Sequence, residues 1–137
     1  MTNLGDAVSF AHGPHMKNRF MLAPLTNQQS HDDGTLSDDE YNWLMMRARG
    51  GFGLTMTCAA SVQKVGRGFS GQLGCDDESH IEGLTGLARD MKSAGTVAIV
   101  QLHHAGNRSP RELIGTDPVC PSDDAETGAR ALSQDEV

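Results

Sequence analysis

The hydrophobic period changes four times between Phe20 and Leu102, and that alternation limits the folds open to the chain. Phe20 to Leu25 is a short apolar run that reads as a strand. Ser37-Asp38-Asp39-Glu40 then has the form of a capping box, with the Ser hydroxyl bonding the amide three residues on and the Glu reaching back. Behind it Tyr41, Leu44, Met45 and Ala48 fall on one face of a helix, and Gly50-Gly51 supplies a left-handed stop. Gly53 to Ala59 reads as a second buried strand. Asp77 can cap a second helix whose buried face is Ile81, Leu84, Ala88 and Met91, with Gly95 ending it. Thr96 to Leu102, TVAIVQL, is β-branched and apolar until Gln101. The pattern predicts strands over 20–25, 53–59 and 96–102 with helices over 38–49 and 78–94. A strand-helix-strand-helix-strand order requires parallel strands joined by right-handed crossovers, an α/β arrangement.

Two segments break the rhythm. Ala60 to Asp76 is glycine-rich and reads as a long loop, and loops of that length are usually functional or flexible. From His103 to Arg130 a second loop carries three prolines. Ser133-Gln134-Asp135-Glu136 then forms a second S-x-x-E capping box one residue before Val137. A single turn does not hold itself as a helix. The expectation is a chain that continues beyond Val137; the alternative is a fortuitous polar tail.

Composition narrows the function classes. A length of 137 residues, 37% hydrophobic and 21% charged, suits one globular domain. The net charge of −7, with no Lys/Arg cluster, argues against nucleic acid. No apolar run approaches the roughly 18 residues of a membrane span. The N-terminal MTNLGDAVSF lacks the basic-then-apolar order of a secretory signal, so the expected location is the cytoplasm. Cys58, Cys75 and Cys120 form neither a CxxC pair nor a disulfide framework and read as free thiols.

The stretch RFMLAPLTNQQSH, Arg19 to His31, drives an apolar run into Pro24 and then sets out small, uncharged hydrogen-bonding groups. A surface loop allows this; the end of a barrel strand facing a polar planar ligand requires it. KNRFMLAPLT (17–26), RARGGFGLTMT (47–57), GRGFSGQLG (66–74) and VQLHHAGNRS (100–109) occur in this order. Together they resemble the Old Yellow Enzyme family of flavin-dependent ene-reductases. The resemblance extends over about residues 8 to 136.

It implies a fold: the N-terminal portion of a (β/α)8 TIM barrel, with a lead-in hairpin over Val8–Arg19, β1-α1-β2-α2-β3 and a long loop. Residues 1–137 would be a partial FMN-binding barrel domain, broken off near the start of the third barrel helix, since a whole barrel needs about 250 residues. It also implies chemistry: FMN as cofactor, NAD(P)H as reductant, and a small activated alkene as substrate, with homo-oligomers admitted. Pro24 and Thr26 match positions that contact the flavin. Ala59 matches a backbone contact at the end of the second strand. Gln101 matches the side-chain amide that pairs with the pyrimidine end of the ring, where an amide serves because it both donates and accepts. No catalytic residue is assigned within the chain, because the family's proton-donating Tyr, substrate-anchoring His/His or His/Asn pair and phosphate loops come from later strands. The sequence departs from the family pattern at Cys58, usually Glu, at Asp76, often Trp, and at Asn107, where the family has Arg directly after the glycine. A non-catalytic interaction or assembly piece is the alternative from another class. His103 and His104, adjacent on a strand, point to opposite faces and do not make a metal pair. Gly66-Arg67-Gly68 fits no phosphate-loop pattern and reads as a loop near the substrate entrance.

Overall fold

The computed structural model describes residues 3–136. Its centre is a three-stranded parallel sheet in the order β1 (Met21–Leu22), β2 (Leu54–Ser61), β3 (Val97–His103). Two helices cross between the strands, α1 (Asp38–Arg49) and α2 (Ile81–Ser93). They pack on one face of the sheet, where Leu44, Met45, Ala48, Leu87 and Met91 form the buried core with Leu22 and Ala98 against them. Tyr41 Oη donates to Asp90 Oδ2 at 2.6 Å and ties the helices together, and the Arg89 and Tyr41 hydrogen bonds hold the Asp90 carboxyl down at about 2. The lead-in hairpin is one antiparallel bridge, Val8 with Met16, with both hydrogen bonds at 2.9 Å.

The element order and the parallel pairing are those expected from the sequence, and α1 matches residue for residue. Other bounds and faces differ, each for a physical reason. β1 is two residues long rather than six. Pro24 offers no N–H to a ladder, and Gln28 turns the chain at φ 55. β2 runs on to Ser61, which also bridges Gly74, so 60–76 is a paired excursion with a 3-10 turn at Lys64–Gly66 rather than a bare loop. Asp77 caps a 3-10 turn, Glu78–His80, that feeds α2, and His80 takes the reach-back position of the box. Ile81 is 60% exposed; Leu87, not Ile81, joins Met91 in the core. In α1 the Ser37 hydroxyl accepts the Glu40 N–H at 3.1 Å as expected, but the Glu40 side chain turns inward and is fully buried. The segment after β3 is also built: a 3-10 turn (Gly106–Arg108), α3 (Arg111–Ile114) and a two-stranded parallel pair, β4 (Val119–Cys120) with β5 (Arg130–Ala131). In the second capping box Glu136 does reach back to the Ser133 N–H, at 2.9 Å, and also pairs with Arg130.

β2 carries one irregularity. Met56 pairs with Ile99 and Ala59 with Gln101, so Thr57 and Cys58 together oppose Val100 alone. This is a β-bulge. The Gln101 N–H, which the extra residue would leave without a ladder partner, donates instead to Thr57 Oγ1 at 3.2 Å.

Candidate functional site

Parallel strands all end on the same side, so the sheet has one C-terminal rim, the side on which barrel enzymes of this architecture place their chemistry. Pro24 and Thr26 follow β1 on that rim. Ala59 and Gln101 lie side by side near the ends of β2 and β3 as a register pair. The structure thus brings to one edge the four residues expected from the sequence, which come from three separate segments. Ala59 is 6% exposed and presents only a methyl group. Thr26 is exposed and Gln101 half-buried. Among the described residues neither the Thr26 hydroxyl nor the Gln101 side-chain amide is taken up by a hydrogen bond, so both keep their full capacity for a ligand.

Buried polar groups stand behind the rim. Ser30 Oγ donates to Glu40 Oε2, and Ser37 Oγ donates to the Gln29 carbonyl. Cys58, on β2, is buried near Glu40. Burial, reinforced by the neighbouring Glu40 carboxylate, pushes the Cys58 thiol up to about 12. On the other flank Gln72, 2% exposed, uses Oε1 to accept the Gly68 N–H at 2.8 Å. Its amide nitrogen therefore donates to His103 Nδ1 at 3.0 Å. The His104 ring faces away; its Nδ1 accepts the Gly106 N–H at 3.0 Å, and burial lowers its basicity. Gly66 sits so close to that ring that a Cβ would stand 2.3 Å from Cδ2. The motif glycine is there for close packing on a histidine. Sequence reasoning missed Ser30, Glu40 and Gln72; their signal is polarity at positions the fold buries, which no local pattern reveals.

A cleft of about 740 Å3 lies beyond the end of β2 between Asp32–Asp33, Val62–Arg67 and Asp76–His80, and none of the four rim residues lines it. His80 in its wall is satisfied within the protein: Nδ1 accepts the Asp77 N–H at 3.2 Å and Nε2 faces the Asp33 carbonyl at 3.3 Å. The rim is an open surface whose chemistry fits the edge of a flavin: a small residue that lets main chain approach, an amide able to donate and accept, and a free hydroxyl.

Residues 11–137 match the model of the NADH:flavin oxidoreductase / NADH oxidase family. The chain is 38% identical, over 98% of its length, to the probable NADH-dependent flavin oxidoreductase YqiG of Bacillus subtilis, of which it covers 37%. It is also 38% identical, over 84% of its length, to the NADH:acrylate oxidoreductase of Vibrio harveyi, of which it covers 11%. Among solved structures, 2-naphthoyl-CoA reductase superposes with a TM-score of 0.88 at 26% identity, over 98% of this chain and 23% of that one. The Old Yellow Enzyme homologue from Zymomonas mobilis gives 0.85 at 26% identity, over 98% of this chain and 41% of that one. The chain therefore spans well under half the length of the relatives it matches. Matched by the family model over residues 11–137, the chain belongs to the NADH:flavin oxidoreductase / NADH oxidase family.

Proposed function

We propose that the protein, as part of a complete barrel, uses FMN and NAD(P)H to reduce C=C bonds conjugated to an electron-withdrawing group. Residues 1–137 form the partial barrel domain that holds one side of the flavin. The observation that carries this reading is the register pair Ala59–Gln101 at the rim, with the free Thr26 hydroxyl on the same edge. Relatives named for acrylate and for fumarate, both alkenes conjugated to a carboxylate, support the substrate class.

FMN, when bound, supplies hydride transfer from NAD(P)H to the alkene. Gln101 would grip the pyrimidine end by one donated and one accepted hydrogen bond. Thr26 would donate at the N5/O4 edge and so tune the electron density of the ring. Pro24 holds the loop out of the ladder, and Ala59 keeps the approach clear. Each hydrogen bond to a buried ring contributes about 0.5–1.5 kcal/mol, so Gln101→Ala, which removes two, should weaken FMN binding roughly tenfold or more. Thr26→Ala should leave affinity within about threefold and change the rate at which NAD(P)H bleaches the flavin. Fluorescence titration and stopped-flow absorbance measure the two. A protein that stays colourless and takes up no added FMN overturns the proposal. The second reading, an assembly piece without chemistry, draws on the exposed apolar edge of β3, where Leu102 is 64% exposed; a yellow, NAD(P)H-reducible protein excludes it.

A further inference from the structure

We infer that Glu40 and Ser30 form a buried clamp that positions the Thr26 segment against the flavin. The inference rests on the FMN reading above and adds two positioning residues to it. Glu40 is wholly buried on α1, and burying a carboxylate is costly unless its oxygens are used. It does not serve the helix cap, where the reach-back to Ser37 is the ordinary use of that position. Instead Oε2 accepts the Ser30 hydroxyl, and Ser30 is itself only 7% exposed. The second oxygen, Oε1, is buried without a hydrogen-bond partner among the described residues.

The contact leads to the loop that follows Thr26. Ser30 closes it, with its N–H donating to the Gly71 carbonyl at 3.1 Å. Within it Asn27 Oδ1 accepts the Gln29 N–H at 3.3 Å. Ser37, at the head of the same helix, takes the Gln29 carbonyl. Thr26 is thus an exposed residue at the head of a segment, Asn27 to Ser30, that buried groups hold from behind. A carboxylate suits the task because it only accepts, so it dictates that Ser30 donates. An amide would leave that direction open. Among the described residues the Glu40 side chain makes its hydrogen bond to Ser30 and none to Pro24, Thr26, Ala59 or Gln101, so its effect reaches the flavin through the Thr26 segment.

The test uses the flavin-loaded, full-length protein with Ser30→Ala, Ser30→Thr and Glu40→Gln. The readouts are FMN affinity in the oxidised and reduced states, the midpoint potential that their ratio sets, and thermal melting. With the clamp broken, Ser30→Ala binds oxidised FMN roughly five- to tenfold more weakly, and the two redox states lose unequally, so the potential moves. Ser30→Thr, which keeps the hydroxyl, restores affinity to within about twofold. Glu40→Gln shows the same unequal loss; if it fails to fold, the Ser30 pair decides alone. Lower melting temperatures with both affinities within about twofold of the unsubstituted protein overturn the clamp and leave the FMN reading standing. An unsubstituted protein that binds no FMN overturns both.

Discussion

Cys58 is a side chain whose kind the sequence reveals and whose place only the fold does. Its sequence context gives a free thiol, and it is free. That it faces α1 rather than the rim depends on the bulge beside it, which leaves no mark in a run as uniform as LTMTCAAS. Its raised pKa makes it inert. We expect iodoacetamide at pH 8 to leave Cys58 unmodified in the folded protein and to label it in denaturant, as mass spectrometry of peptides would show. The same shift sets a pH dependence. The folded thiol holds its proton up to about 12, whereas the unfolded one loses it near 9.0. Stability from this site is complete below pH 9 and falls as pH rises toward 12, by up to about 1.4 kcal/mol per unit. Urea melts across that range check it, with Cys58→Ala flattening the decline. Thr26, Ala59 and Gln101 are proposed from the sequence because strand ends and motif order single them out. Glu40 is not, since a capping-box pattern assigns that side chain a local use and only the tertiary fold gives it another.

At the scale of elements, the helix starts were the most readable parts and the apolar faces the least. Ser37 does what its motif promises, and it also takes the Gln29 carbonyl from the preceding loop. Ser37→Ala should therefore cost about 2 kcal/mol, one for the cap and one for the loop bond, read from denaturant unfolding. In α2 the pattern Ile81, Leu84, Ala88, Met91 was a fair helical stripe, yet the chain enters through a 3-10 turn that changes the phase of the first residue. The consequence is measurable. Leu87→Ala should cost about 2–5 kcal/mol, and Ile81→Ala less than about 0.5 kcal/mol. β1 and the segment after β3 were misjudged for related reasons. A proline ended the first sooner than its apolar run suggested, and the structure of the second rests on non-local pairs such as Val119 with Arg130.

Over the whole molecule the sheet is one-sided. Its helix-covered face is packed, while Met21 and Ile99 on the other face are 49% and 37% exposed, and the free edge of β3 shows Val100 and Leu102 at 41% and 64%. An unpaired parallel edge with apolar side chains invites strand addition. The 137-residue chain, produced alone, should associate in a concentration-dependent way by sedimentation velocity. Leu102→Lys should shift it toward monomer, because a charged edge residue opposes pairing. A monomer at all concentrations with sharp, cooperative unfolding would show that the edge is harmless.

The bulge in β2 also bears on how such a sheet could be redesigned or could drift. Because side chains alternate strictly along a strand, one additional residue exchanges the two faces for everything after it. Continued without interruption from the Met56–Ile99 pair, the ladder would set Cys58 beside Gln101 and turn Ala59 toward α1. A strand slipped into that regular register would put a thiol where a methyl group now leaves room. Deleting Thr57 would regularise the pairing and keep Ala59 beside Gln101, but it would take away the hydroxyl that receives the Gln101 N–H. The extra residue thus sets which side chain of β2 stands next to Gln101.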